Sequence, residues 1–141
     1  KQINLYFFTD PRYPQRLKQC ADAPLLFYYR GNADLDAPHI LSIVGTRQAT
    51  HYGQEMTEKL LSDLSERMPN LLIVSGLAYG IDICAHTNAL QNGLPTVGVL
   101  AHGLDRIYPS AHRKTAIEMM QNGGLLTDFP SGTFPDKPNF V

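Results

Sequence analysis

The sequence has no tryptophan, only two cysteines, and no excess of charge of either sign: 12 Lys and Arg stand against 13 Asp and Glu, for a formal net charge of -1. That balance excludes a globally basic nucleic-acid binder, so any polyanion must be met by a local patch. Cys20 and Cys84 have no metal-ligand spacing and form no disulfide framework, which suits a reducing cytosol. No apolar run approaches the roughly 18 residues that span a bilayer, and no charged-then-apolar leader opens the chain. A soluble, cytoplasmic protein with no membrane partner is expected. The five histidines show no recurrent spacing with Asp, Glu or Cys, so neither a metal nor another cofactor is expected, and structural roles suit them better.

What is present is enough for one ordinary core: 141 residues, 43% of them hydrophobic. Both ends, "KQINLYFF" and "PDKPNFV", read like interior text, so a fragment of a longer protein is expected. Residues 1–36 form an irregular lead-in with three prolines, a short helical piece around Gln15 to Ala21, and an apolar run, Leu25 to Tyr29, that suits an edge strand. Residues 37–141 read as a Rossmann-like domain cut short at its C-terminal end.

From Ile40 the text is periodic. Ile40 to Val44 is a near-continuous apolar run, the form of a strand covered on both faces. Met56, Leu60, Leu64 and Met68, with Leu61 beside them, keep one stripe at helical spacing and predict a helix over Tyr52 to Met68. "LLIVSG" repeats the strand, and Ile81, Ala85 and Ala89 trace a second helix that Gly93 ends. "PTVGVLAHG" is a third strand, a helix follows from about Ser110 to Gln121, and "LLTDFPSGT" is a fourth. This alternation predicts an α/β fold, a Rossmann-like three-layer sandwich with a mostly parallel sheet.

In such sheets ligands sit beyond the carboxyl ends of the strands. The exits here are "GTRQATHYG", "SGLAYGID", "AHGLDRIYPSAHRK" and "DFPSGTFPDKPNF", all glycine-bearing, and Arg47, Arg106, Arg113, Lys114 and Lys137 lie among them. Backbone N–H groups at helix starts form an anion site, aided by the helix dipole. Asp82, Asp105, Asp128 and Asp136 share these segments, so the patch is mixed. A plain salt bridge from Arg47 to Asp82 is the structural alternative, and Asp82 suits an N-terminal helix acid better than a catalyst.

Signals for catalysis are weak. "GTRQATHYG" does not supply G-x-G-x-x-G, and no P-loop Gly-Lys-Ser/Thr appears. "IVSGLAYG" around Ser75 lacks the spacing of a nucleophile elbow.

"SIVGTRQATHYG", "IVSGLAYGIDICAHTNAL", "GLDRIYPSAHR" and "GGLLTDFPSGTFPDKPNF", in that order, resemble the DNA-processing protein A family, DprA/Smf. The upstream "YPQRLKQCADAPLLFYYRGN" fits the same pattern, so the resemblance runs from about Tyr13 to Phe140. It implies an extended Rossmann-like core that binds single-stranded DNA, protects it and loads the RecA recombinase during natural transformation, as a homodimer and without enzymatic activity. The family's Gly-Ser/Thr-Arg motif falls on Gly45, Thr46 and Arg47. Its glycine-rich second exit falls on Ser75, Gly76, Leu77, Ala78, Gly80, Ile81 and Asp82, and its lysine before Asn-Phe falls on Lys137. His112 stands where members usually have Asn and Ser110 where a basic residue is common, with Arg113 or Lys114 as substitutes. Tyr79, Tyr108, Phe129 and Phe134 are candidate stacking platforms for bases. The rival reading is a nucleotide or sugar-phosphate enzyme such as a nucleoside monophosphate phosphoribohydrolase, which would use Asp82 or Asp128; "PSGTFPDK" lacks the glutamate those enzymes carry.

Overall fold

The computed structural model describes residues 2–140. Six strands form one sheet: β1 (Asn4–Phe7), β2 (Leu26–Gly31), β3 (Ile40–Ser42), β4 (Leu72–Ser75), β5 (Thr96–Val99) and β6 (Gly123–Thr127). Four helices join them: α1 (Gln15–Lys18), α2 (His51–Arg67), α3 (Ile81–Gln91) and α4 (Arg113–Met119), with short 3-10 turns at Ser110–His112 and Lys137–Phe140. The strand order is β1-β2-β6-β5-β4-β3. β3 to β6 run parallel, while β2 is antiparallel to both β6 and β1. No helix among the described residues is long and apolar enough to cross a membrane.

The parallel strands follow one another across the sheet in a single direction, and right-handed crossovers then place α2, α3 and α4 on the same face. On that face Leu61, Ile73, Ala85, Ala89 and Leu94 form one buried cluster, and Leu100, Ala116, Met119 and Leu125 another. The opposite face carries Phe27, Tyr29, Leu72 and Val97, covered by Tyr13 and Ala37, with Leu17 of α1 packed against them. The third layer is therefore built by the lead-in segment. Tyr6 stacks on Phe27 with ring centroids 5.0 Å apart, and Tyr13 meets Phe27 edge-on at 5.3 Å.

Four sequence expectations change. The Leu25 to Tyr29 run is not an edge strand: β2 lies between β1 and β6, because alternate residues Phe27 and Tyr29 have the aromatic cluster to fill. Ile40 to Val44 is not covered on both faces. β3 ends the sheet, its ladder stops at Ser42, and Val44 is 83% exposed. On α2 the buried stripe is Thr57 and Leu61, with Leu64 beside them, which leaves Tyr52, Met56 and Leu60 exposed at i, i+4 and i+8. Finally, the expected helix from Ser110 to Gln121 opens as a 3-10 turn and is α-helical only over α4.

Candidate functional site

Beyond the carboxyl ends of β3, β4 and β5 lies a crevice of about 660 Å³. Val44, Gly45 and Arg47 line it from the first exit, and Gly76, Leu77, Ala78, Tyr79 and Asp82 from the second. His102, Tyr108 and Pro109 contribute the third wall, and Pro135, Lys137 and Phe140 close the fourth.

Tight backbone contact holds the first two exits together. Ile81 N–H donates to the Thr46 carbonyl at 3.1 Å. Gly80, at φ 82° and ψ -126°, makes this approach possible: a Cβ there would lie 2.7 Å from the Arg47 carbonyl oxygen. Such backbone angles are close to a glycine preserve. Thr46 Oγ1 accepts from Gln48 N–H at 3.1 Å, so the motif threonine shapes its own turn.

The glycine-rich loop after β4 is clamped by three side chains. His86 Nε2 lies 2.6 Å from the Gly76 carbonyl oxygen and Nδ1 lies 2.6 Å from Thr96 Oγ1. A carbonyl only accepts, so Nε2 carries the proton and Nδ1 accepts from the threonine hydroxyl. His112 Nδ1 likewise donates to the Leu77 carbonyl at 2.8 Å. Asp82 Oδ2 accepts from Ala78 N–H at 3.3 Å and would collide with a side chain at Gly76. In a planar trans peptide the N–H points opposite to the C=O. Because His86 draws the Gly76 carbonyl toward α3, the Leu77 N–H of the same peptide is turned the other way. Burial drives the His86 pKa down to about 4, with its hydrogen bond to Gly76 opposing the shift, so the clamp is neutral at physiological pH.

Arg47 makes no ion pair among the described residues, and the alternative bridge to Asp82 is absent. Its guanidinium instead lies over the Phe140 ring, 5.6 Å from the centroid. Phe140 is in turn 6.4 Å from the Tyr108 ring, and Tyr79 meets His112 edge-on at 4.8 Å. The crevice thus offers two cations, backbone donors and half-exposed aromatic rings. Asp82 is the one carboxylate among its lining residues, and its Oδ1 is buried without a partner among the described residues. His102 is buried too; Nδ1 donates to the Gly103 carbonyl at 2.9 Å and leaves Nε2 as a bare acceptor. Among the described residues no group of three His, Cys, Asp or Glu side chains is placed to hold a metal ion.

Of the residues singled out in the sequence, Gly45, Arg47, Gly76, Leu77, Ala78 and Lys137 line the crevice. Thr46 and Gly80 shape the loops from outside its lining, and Ser75 is buried at the end of β4 with its hydroxyl unpartnered among the described residues. Arg113 lines a different cavity, and Lys114 is exposed and lines neither. Two contributors escaped the sequence reading. Phe140 sits in the quoted "KPNF", whose 3-10 turn carries its ring under Arg47. His112 was visible only as a departure from Asn, and the structure shows a donor where an amide also could donate.

Together these elements make a Rossmann-like α/β domain whose glycine-bearing exits gather two cations and backbone donors around one crevice. A model of one family, the DNA recombination-mediator protein A, matches residues 4–141. The chain belongs to that family, DprA/Smf. It is 38% identical over 135 residues to the DNA processing protein DprA of Streptococcus pneumoniae, an alignment covering 96% of this chain and 47% of that protein. Protein Smf of Escherichia coli is 35% identical over 131 residues, 91% of this chain and 34% of the relative. The crystal structure of the pneumococcal DprA superposes with a TM-score of 0.86 at 35% identity, over 99% of this chain and 48% of that one. A structure of DprA from Helicobacter pylori, described for its single-stranded DNA binding mode, gives 0.84 at 32% identity, over 99% and 61%. The chain therefore spans about a third to a half of the length of the curated relatives it matches.

Proposed function

We propose that the crevice binds single-stranded DNA, and that the protein protects the strand and delivers it to the RecA recombinase in natural transformation, as a non-catalytic cytoplasmic homodimer. The observation that carries the DNA reading is Arg47: a cation that shares the crevice with Lys137, lies over an aromatic ring and makes no ion pair among the described residues. Phosphates would take the cations and the Leu77 N–H, while bases lie against Phe140 and Tyr108. Such contacts read no base edge, so sequence preference is weak and salt dependence is strong. Membership of the family and the Helicobacter relative's single-stranded DNA binding support the same reading. The exposed stripe Tyr52, Met56 and Leu60 on α2 supports a protein contact of the kind a dimer needs.

Asp82 favours a second reading, a nucleoside monophosphate hydrolase with this carboxylate near the sugar. One experiment separates the two: fluorescence anisotropy of labelled oligo-dT against the chain and its Arg47→Ala variant across a salt series, with excess mononucleotide as competitor. Polymer binding is expected to weaken with salt and to fall about tenfold or more in the variant. Displacement by micromolar mononucleotide, or no polymer binding at all, would move the enzyme reading ahead.

A further inference from the structure

A second cavity, of about 390 Å³, lies between α4 and the β2–β6 strands, on the far side of the loop that walls the crevice. Arg30, Arg106 and Arg113 line it, with Asp105 as the only acid among them. Arg30 is the unusual member. It sits on an internal strand, opposite Leu125, and projects to the helix-covered face where a hydrophobic residue would be the ordinary choice. Its Nε is buried and has no partner among the described residues, and the same is true of the Arg106 Nε. A buried guanidinium donor without an acceptor is costly, and a phosphate would satisfy it in the forked geometry that arginine favours. Asp105 is committed elsewhere: it accepts from Gly132 N–H at 3.0 Å and pairs with Arg106 at 3.1 Å, contacts that hold its carboxyl below the usual carboxylate range. Arg30 and Arg113 form no ion pair among the described residues. Apart from Gln121 the rest of the wall is apolar, with Ile107, Ile117 and Met120 placed to lie against an organic group attached to the phosphate.

We propose that this cavity is a second phosphate site, taking a nucleoside phosphate through Arg30, Arg106 and Arg113. The proposal builds on the single-stranded DNA reading of the crevice. Residues 104–107 line the cavity while Tyr108 and Pro109 line the crevice, so one loop is the shared wall. A strand leaving the crevice over Tyr108 next meets Arg106 and Arg113. The same chemistry would also accept a free mononucleotide, and the volume falls within the usual range for small-ligand pockets.

The test compares oligo-dT of about 5 and about 15 nucleotides by anisotropy across a salt series, lengths bracketing common single-strand site sizes. With the native chain, the long strand is expected to show a steeper salt dependence than the short one, by about 0.7 per added phosphate contact. Arg30→Gln is expected to weaken the long strand about tenfold and remove that extra slope, while short-strand affinity is unchanged. Because Arg30 is partly buried, Arg113→Gln at the exposed start of α4 provides a second variant, expected to flatten the long-strand slope as well. Calorimetric titration with dTMP distinguishes the sources: heat lost in Arg30→Gln identifies a mononucleotide site, and no heat with an intact long-strand effect identifies the strand itself. Equal salt slopes for both lengths in the native chain, together with no dTMP heat, would overturn the proposal and leave the arginines to an acidic protein surface. Failure of the short strand to bind, by contrast, would count against the crevice reading.

Discussion

His86 and Gly76 are joined across the buried interior by a 2.6 Å hydrogen bond from an imidazole Nε2 to a main-chain carbonyl, which ties the glycine-rich loop to α3. The histidine is fully buried, and burial lowers its pKa from 6.5 to about 4. Over that window the unfolded chain binds a proton that the folded chain refuses, so stability rises with pH. The contribution is fully present above about pH 6.5 and is lost as pH falls toward about 4, a total of about 3 kcal/mol. Urea midpoints at about pH 7 and about pH 4.5 should therefore differ more for the native chain than for His86→Leu, whose side chain does not titrate. Equal pH dependence of the two proteins would show that His86 is not the responsible group.

His112 makes the matching contact to the Leu77 carbonyl, at 2.8 Å. Asparagine, with its amide N–H₂, also donates, whereas leucine leaves a carbonyl of a nearly buried residue without its partner. His112→Leu is expected to destabilise the fold by about 1–3 kcal/mol and to weaken DNA binding, and His112→Asn to retain more of both. Thermal melts and anisotropy on the same two variants decide it: if asparagine fares no better than leucine, the hydrogen bond is not what the site needs.

The repeating half of this architecture was legible because strands covered by helices write themselves as continuous apolar runs, as in "LLIV", and because Ala85 and Ala89 keep a helical period. Strand order was not written there. Nothing in Ile40 to Val44 distinguishes an edge from a centre, and only the pairing places β3 outermost. The four residues of β1 are too few to show alternation, although Tyr6 packs on the aromatic core. At the site, the exits and Arg47 were readable from the rule that ligands sit beyond strand ends. Which wall of a loop a side chain faces is a matter of three-dimensional path, so Arg113 and Phe140 could be placed only by the structure.

Tyr108 and Phe140 present half-exposed rings beside Arg47. Stacking of a base on an aromatic ring contributes about 1–3 kcal/mol by alanine substitution and releases no counterion. Tyr108→Ala is therefore expected to weaken oligo-dT binding about tenfold while the salt slope stays unchanged. Arg47→Lys should separate charge from geometry in the complementary way: the cation persists, so the slope is kept, but the planar fork and its stacking on Phe140 are lost and affinity falls. A flattened slope in Tyr108→Ala would mean that the tyrosine positions a phosphate rather than a base.

Gly80 and Gly93 both have positive φ, 82° and 71°, yet their surroundings differ. An added Cβ at Gly93 meets nothing within 4 Å, so Gly93→Ala is left with the backbone strain alone, about 1–2 kcal/mol. At Gly80 the ψ of -126° is still less accessible to an L-residue, and the Cβ would press on the Thr46 and Arg47 carbonyls. The relief available is to push the first exit away from α3, and Arg47 moves with it. Gly80→Ala should therefore lose at least as much stability as Gly93→Ala and should lose DNA affinity as well, whereas Gly93→Ala keeps it at temperatures where both remain folded. Anisotropy titrations, interpreted beside denaturation midpoints, test the link directly: equal affinities in the two variants would mean that the spacing between the first and second exits does not set the position of Arg47.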